Sequence, residues 1–450
     1  MTRLSESVER SHALTAPFLS ILRRTRESKL AQDAVKLLFL QLASRLVAFF
    51  GSAQAIRSLG PEQLGTGAFA IAVVTQAAVL GDLGLNVAGI RAMHDEPERQ
   101  TETISTVLGL RASASVVFAV VLLVWAATFR TTGTMLLWLL ALPLIFLMVL
   151  NAQWIYQGIE RVPVYNTLQL VQTLTAATLY FALFRSGATA ELYVVVALVS
   201  QALSWSLSYY FLRGHVRFDL SLFRWRRGWE MLRKSSFAFA AVLTTFVYGG
   251  LDIPLVTLLL STHDAGVYRA AQTIVGALTP LVAMVPLLVY PRLLVWKNEG
   301  IPTFVRYGAT TMAALVALGF VIAVSSLVWV PFAVSKLYGP AYLGSIVPCI
   351  VLVAGSCVAL VATVPAWGLY ALNLDRRFLV VTIVAATVSI SSNLLLLGRI
   401  GIVAAAGTSV LSQVIILTGM SAALVSYLRS HRSADGGAEQ PAHQEGGGLP

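Results

Sequence analysis

Stretches of about 20 apolar residues recur from residue 35 to residue 428, parted only by short polar turns. Each is long enough to cross a hydrocarbon layer of about 30 Å, and inside such a layer only helices or a closed barrel satisfy every backbone group. A barrel would show shorter segments of alternating polarity, which the sequence lacks. The composition agrees: 57% of the 450 residues are hydrophobic, only 12% are charged, and the mean hydropathy is +0.76. The pattern predicts an all-α integral membrane protein with about 12 transmembrane helices. The spans are expected at 35–56, 66–88, 104–128, 134–156, 163–184 and 191–212, then at 236–260, 266–290, 307–330, 342–365, 378–397 and 401–428.

One long charged stretch, Arg213 to Lys234, divides this series almost at its midpoint. It carries Arg213, Arg217, Arg224, Arg226, Arg227, Arg233 and Lys234 against only Asp219 and Glu230. The organisation read from it is a basic N-terminal tail (1–34), a first lobe of six spans (35–212), a basic linker (213–235), a second lobe of six spans (236–428) and a polar tail (429–450). The first 33 residues do not read as a cleaved signal, because Leu14 to Leu22 is too short and lacks a small-residue cleavage site. That piece reads either as a floppy tail or as an interfacial helix with Phe18 and Leu22 on lipid. The last 21 residues, rich in Gly, Gln, Glu and Ala, are expected to be disordered.

The basic residues set the orientation. With the N-terminus inside, the inner side holds the tail and linker arginines together with Arg91, Arg99, Arg161, Arg292, Lys297, Arg306, Arg376, Arg377, Arg429 and Arg432. The outer side then holds only Arg57, Arg130, Arg185, Lys336 and Arg399. This bias predicts a multi-pass protein of the cytoplasmic membrane with both termini cytoplasmic. The formal net charge of +11 is therefore topological and directed at anionic lipid headgroups. No nucleic-acid partner is expected.

The halves also resemble each other. Leu59-Gly-Pro-Glu-Gln-Leu-Gly65-Thr-Gly-Ala-Phe-Ala70 and Leu260-Ser-Thr-His-Asp-Ala-Gly266-Val-Tyr-Arg-Ala-Ala271 share the pattern Leu-small-x3-apolar-Gly-x4-Ala, each leading into the second span of its half. With an even number of spans per half, the copies insert the same way up. The lobes are then related by a parallel pseudo-two-fold axis along the membrane normal.

Catalytic motifs are missing. The sequence has no phosphate-binding Gly-x4-Gly-Lys-Ser/Thr loop, no nucleophile elbow and no His-Glu-x-x-His, and the outer loops are short. The expectation is a protein that is not an enzyme, with no cofactor and no metal. The six histidines have no ligand spacing, and Cys349 and Cys357 fall within one apolar segment as packing residues. Candidate site residues are the polar ones inside spans, since a charge at a helix centre costs about 2.5–3.5 kcal/mol and tends to face a cavity. Arg45 lies mid-span. Arg111 and Arg269 lie nearer their span ends and face either a cavity or, by snorkelling, the headgroups. Asp252 and Asp82 are candidates for ion coupling, with a structural Asp82–Arg91 pair as the other reading of Asp82. Arginines facing a cavity suit a diphosphate, whose oxygens a guanidinium holds in pairs.

At the end of the fourth span, Trp154-Ile-Tyr-Gln157-Gly158-Ile-Glu160-Arg161 adds amides to an interfacial aromatic cluster. This run resembles the Trp-x-aromatic-Gln-Gly-x-Glu-Arg signature of polysaccharide (O-antigen type) flippases. Arg57-Ser-Leu-Gly60-Pro61-Glu62-Gln-Leu-Gly65 resembles that family's Arg-x-Leu-Gly-Pro-Glu-x-Tyr-Gly turn, with Leu64 where Tyr is usual. Asp82-Leu-Gly84-Leu and Gly266-Val-Tyr268-Arg-Ala-Ala271 resemble two further motifs, in the same order along the chain. The resemblance implies the multidrug/oligosaccharidyl-lipid/polysaccharide exporter superfamily, with two six-helix lobes about a V-shaped cavity that opens alternately to each side. The implied cargo is an undecaprenyl-diphosphate-linked oligosaccharide, and Arg45, Arg111, Arg269, Gln157 and Trp154 are the candidate residues for binding it. The implied partners are membrane lipids, the lipid-linked oligosaccharide and polysaccharide assembly proteins. The alternative is a drug or metabolite antiporter of the same superfamily.

Overall fold

The computed structural model describes residues 43–129, 134–234, 239–240, 243–244 and 250–436. The readings made above for the N-terminal tail, and for the chain after Gly436, fall outside the described residues. Everything described is helix, turn or loop. The protein is an all-α integral membrane protein, and eight helical stretches among the described residues are long and apolar enough to cross a membrane.

The first of these, Ala43–Asp95, holds two spans. Gly60 has φ 73°, a left-handed conformation that favours glycine, and Pro61 follows without an N–H to give. Gly60 divides the helical stretch 43–81 into α1 (43–59) and α2 (61–81). A second break at 82–84, with Leu83 at φ 53° and Gly84 at φ 72°, separates α2 from α3 (Leu85–Asp95). The first half continues with α4 (Gln100–Phe129), α5 (Met135–Val149), α6 (Gln153–Gly158), α7 (Val162–Leu183) and α8 (Ala190–Leu212). The linker is folded: Leu220–Leu222 makes a 3-10 turn and Trp225–Lys234 forms α9. The second half comprises α10 (Asp252–Leu259), α11 (Thr262–Gly276), α12 (Thr279–Glu299), α13 (Ile301–Ala333), α14 (Ile346–Ala371), α15 (Asp375–Ile400) and α16 (Ile402–Gly436). The span expected at 266–290 is thus two helices that break at Ala277–Leu278, just before Pro280. Part of the span expected at 236–260 lies outside the described residues.

α7, 22 residues long, is not among the eight strongly apolar stretches, and α11 has only 15 residues. α7 carries Asn166, Gln169, Gln172 and Thr173, and α11 carries Arg269, Gln272 and Thr273. A span whose polar face avoids lipid can be less apolar, so these two helices mark the interior of the bundle.

The buried residues fall into five cores, and their membership gives the shape. One core mixes the halves: Ile56, Leu59, Leu64, Phe184 and Tyr193 of the first pack with Ile253, Tyr268, Val330, Tyr338 and Tyr342 of the second. The other four each belong to one half. Two are built around Trp138 and Trp154 in the first, and two around Phe304 and Leu369 in the second. Two lobes therefore converge at the end where α1 turns into α2 and keep separate cores elsewhere.

The repeated glycines form the seam. A Cβ on Gly65 would run into the Thr262 carbonyl and stand 2.8 Å from the Gly266 nitrogen. One on Gly266 would run into the Pro61 carbonyl and stand 3.0 Å from the Gly65 nitrogen. Pro61 and Thr262 are themselves equivalent in the repeat, so the contact is self-complementary, as a two-fold axis between the lobes requires. The Tyr342 hydroxyl donates to the Ile56 carbonyl across the same seam at 2.7 Å. Gln54 and Ser58 donate to the Phe184 carbonyl at 3.2 and 3.3 Å, fixing the turn to its neighbouring loop.

Candidate functional site: a cavity with two arginines

Faces of α1, α7 and α11, with Leu64 of α2 and Tyr193 and Ser200 of α8, line a cavity of about 470 Å³ between the lobes. From α1 come Arg45, Phe49, Ser52 and Ile56, spaced one turn apart on a single stripe. From α7 come Gln169, Gln172, Thr173, Ala176 and Tyr180. From α11 come Arg269, Gln272, Thr273 and Gly276. Gly51 lets α1 pack closely on α7, where an added Cβ would come within 2.8 Å of Ala177. Tyr180 and Tyr193 stack at 5.9 Å between ring centroids and form a flat aromatic wall.

Among the described residues, the only charged ones lining this cavity are Arg45 and Arg269, one from each lobe. Among the described residues neither has an ion-pair partner, and no carboxylate lines the cavity. The remaining polar groups are neutral. Gln172 donates to Gln201 at 2.6 Å, and Gln169 donates to the Tyr165 hydroxyl. Amides and hydroxyls of this kind offer both donors and acceptors. The arrangement can hold an anionic group between the lobes and a polyhydroxyl group along α7.

The other sequence-derived candidates lie elsewhere. Arg111 is 1% exposed and buried within the first lobe. It pairs with Asp82, donates to Asn86 Oδ1 at 2.7 Å and to the Val149 carbonyl at 3.3 Å, and lies 5.6 Å from the Trp154 ring centre. The partner of Asp82 is thus Arg111 rather than Arg91, and Arg111 neither snorkels nor faces the central cavity. Trp154 is fully buried against Gly89, whose absent side chain makes room for the indole. Gln157 is exposed at the end of α6, outside the cavity. Asp252 is buried within the second lobe, where its Oδ2 accepts from the Tyr268 hydroxyl at 2.9 Å and from Ser409 at 3.1 Å. Beside it, Thr408 donates to Asn393 at 2.8 Å. The structure therefore brings Arg45 and Arg269 together. It adds Gln169, Gln172, Gln272 and Thr273, which the sequence reading passed over although their helical spacing was visible. No cluster of three or more His, Cys, Asp or Glu suited to a metal occurs among the described residues.

Residues 30–294 match the family described as "polysaccharide biosynthesis protein". The chain belongs to that family. No curated protein matches the sequence. Among solved structures, the lipid II flippase MurJ in an inward closed conformation superposes with a TM-score of 0.64 at 10% identity, covering 86% of each chain. An inward-facing multidrug resistance MATE family transporter of the MOP superfamily superposes with a TM-score of 0.61 at 14% identity, over 87% of this chain and 95% of that one. An outward-facing MATE family transporter gives a TM-score of 0.53 at 13% identity, over 89% and 96%. At these identities the likeness establishes the fold. This polysaccharide biosynthesis family member has the two-lobed architecture of MOP superfamily transporters.

Proposed function

We propose that the protein is a flippase that moves an undecaprenyl-diphosphate-linked oligosaccharide from the cytoplasmic to the outer leaflet of the cell membrane, for cell-surface polysaccharide. One observation carries this reading: a cavity between the lobes whose only charges, among the described residues, are two arginines without an ion-pair partner. Each guanidinium presents a fork of donors to phosphate oxygens, and the low dielectric of the span interior strengthens both contacts. The glutamines and threonines of α7 and α11 suit sugar hydroxyls, while the polyprenyl chain stays in lipid. Because Arg45 and Arg269 belong to different lobes, the cargo is gripped from both sides as the lobes rock about the Gly65–Gly266 seam. The better match to the inward-facing than to the outward-facing MATE structure supports taking the seam as the closed outer side. The lobes are then residues 35–212 and 236–428, joined by a cytoplasmic linker, with both termini cytoplasmic.

A cationic drug would need a carboxylate in the cavity, and the described residues of the lining include none. Asp252, buried behind the cavity and held by two hydroxyls, is the group assigned here to ion coupling. Asp252→Asn is expected to leave cargo binding within about twofold while abolishing the dependence of transport on an imposed ion gradient. A variant that still responds to the gradient would remove Asp252 from this role.

Binding tests the cavity assignment. Arg45→Ala and Arg269→Ala are each expected to weaken binding of undecaprenyl diphosphate about tenfold to a hundredfold, the range for a hydrogen bond to a charged group. The Gln172→Ala protein, measured alongside, should bind undecaprenyl diphosphate normally and lose affinity only when sugars are attached. Unchanged affinity in both arginine variants would place the diphosphate elsewhere.

A further inference from the structure

We infer that the linker helix α9 is a membrane-surface element that binds anionic phospholipid headgroups. Its sequence, Trp225-Arg-Arg-Gly-Trp-Glu-Met-Leu-Arg-Lys234, sorts into sectors around the helix at 3.6 residues per turn. Gly228 and Met231 form the buried face. Gly228 sits against Leu110 of α4, where a Cβ would come within 2.6 Å of the leucine side chain. Next round the helix come Trp225 and Trp229, which are 60% and 63% exposed. Then come Arg226 and Arg233, and last Glu230 and Lys234, all exposed.

Arg227 fixes the orientation of these sectors. It pairs with Glu96 and Glu102, both at 2.9 Å, and donates to Thr103 at 3.0 Å, bolting α9 to the ends of α3 and α4. Its charge is therefore spent on the protein, whereas Arg233, Lys234 and Arg226, the last 3.7 Å from the exposed Glu230, are turned outward.

The depth of α9 follows from its neighbours. α4 has 30 residues, about 45 Å of helix, longer than a hydrocarbon layer of about 30 Å. Its lipid-facing apolar stripe begins at Val116 and continues through Val117, Val120 and Val121. Its carboxylate Glu102 marks the aqueous end. α9 packs at Leu110, between these limits. On α8, Tyr210 and Phe211 are exposed just before the linker begins. The paired tryptophans thus stand where the apolar band ends, the level at which indole rings collect, with two arginines just above them. An exposed aromatic pair bordered by arginines, at the rim of the lipid-facing surface, fits an anionic lipid surface.

The test uses the full-length chain in phosphatidylcholine vesicles with and without phosphatidylglycerol, each containing a lipid with a nitroxide quencher near the headgroup. The Trp225→Phe/Trp229→Phe protein supplies the contribution of the other seven of the nine tryptophans. Quenching of the wild type is expected to exceed that of the variant, to rise with phosphatidylglycerol and to fall as salt is added. The Arg226→Gln/Arg233→Gln protein should retain phosphatidylglycerol about tenfold less well in native mass spectrometry. Wild-type quenching equal to that of the tryptophan variant would overturn the inference and turn this face toward a protein partner. Retention that is unchanged in the arginine variant and insensitive to salt would overturn it as well.

Discussion

A Gly65→Val protein is expected to lose the closed seam and to populate conformations in which the lobes part at that end. The added side chain meets backbone on every near side, the Thr262 carbonyl and the Gly266 nitrogen, so no rotamer change relieves it. Overpacking of this kind costs about 1–3 kcal/mol. Applied to one of two conformations, that cost shifts their ratio about five- to 150-fold. The readout is the distance between spin labels at Ser58→Cys and His263→Cys, in a background with Cys349 and Cys357 replaced by alanine. A population several ångströms longer should appear. Gly266→Val should do the same, because the contact is self-complementary. Gly308→Val, where a Cβ meets nothing within 4 Å, should leave the distance unchanged. An unmoved distance in both seam variants would show that the glycines do not form the closing contact.

The second large effect concerns Arg111. Removing a guanidinium that is 1% exposed leaves the Asp82 carboxylate, 15% exposed, with no cation. Breaking a buried pair from one side costs about 3–5 kcal/mol. Arg111→Ala is therefore expected to lower the melting temperature of the purified protein markedly. Lysine should rescue little, since one ammonium cannot reach Asp82, Asn86 and the Val149 carbonyl together. Arg111→Met combined with Asp82→Leu should recover most of the loss. These bonds join two interruptions in the fold, the left-handed turn at Leu83–Gly84 and the end of α5 at Val149. The clamp thus holds the broken second and fourth spans in register. If Arg111→Ala melts like the wild type but no longer binds cargo, Arg111 is a binding residue and the clamp reading fails.

The contrast between Arg45 and Arg111 marks what can be read from the chain alone. Both are arginines within apolar spans, and the cost of burying a charge singles out both. What separates them is a partner: Asp82 lies 29 residues from Arg111 in sequence and meets it only once α2 and α4 pack. Span periodicity and the repeated Leu-small-x3-apolar-Gly turn were legible because each is local. That the two copies of the turn touch at the axis was not, because the repeat predicts symmetry without saying which equivalent residues meet. The breaks at 82–84 and 277–278 were also missed, since hydropathy runs on through them. The polar stripe Gln169, Gln172, Thr173 was legible in principle. It lay in a span whose apolar average drew attention away from its period.

Transport of a fluorescent undecaprenyl-diphosphate oligosaccharide across proteoliposomes tests the central claim most directly. The wild type should move the lipid between leaflets, while Arg45→Ala/Arg269→Ala, folded and with an unchanged melting temperature, should not. Export of a small cationic dye without movement of the lipid would contradict the account and make the protein an antiporter.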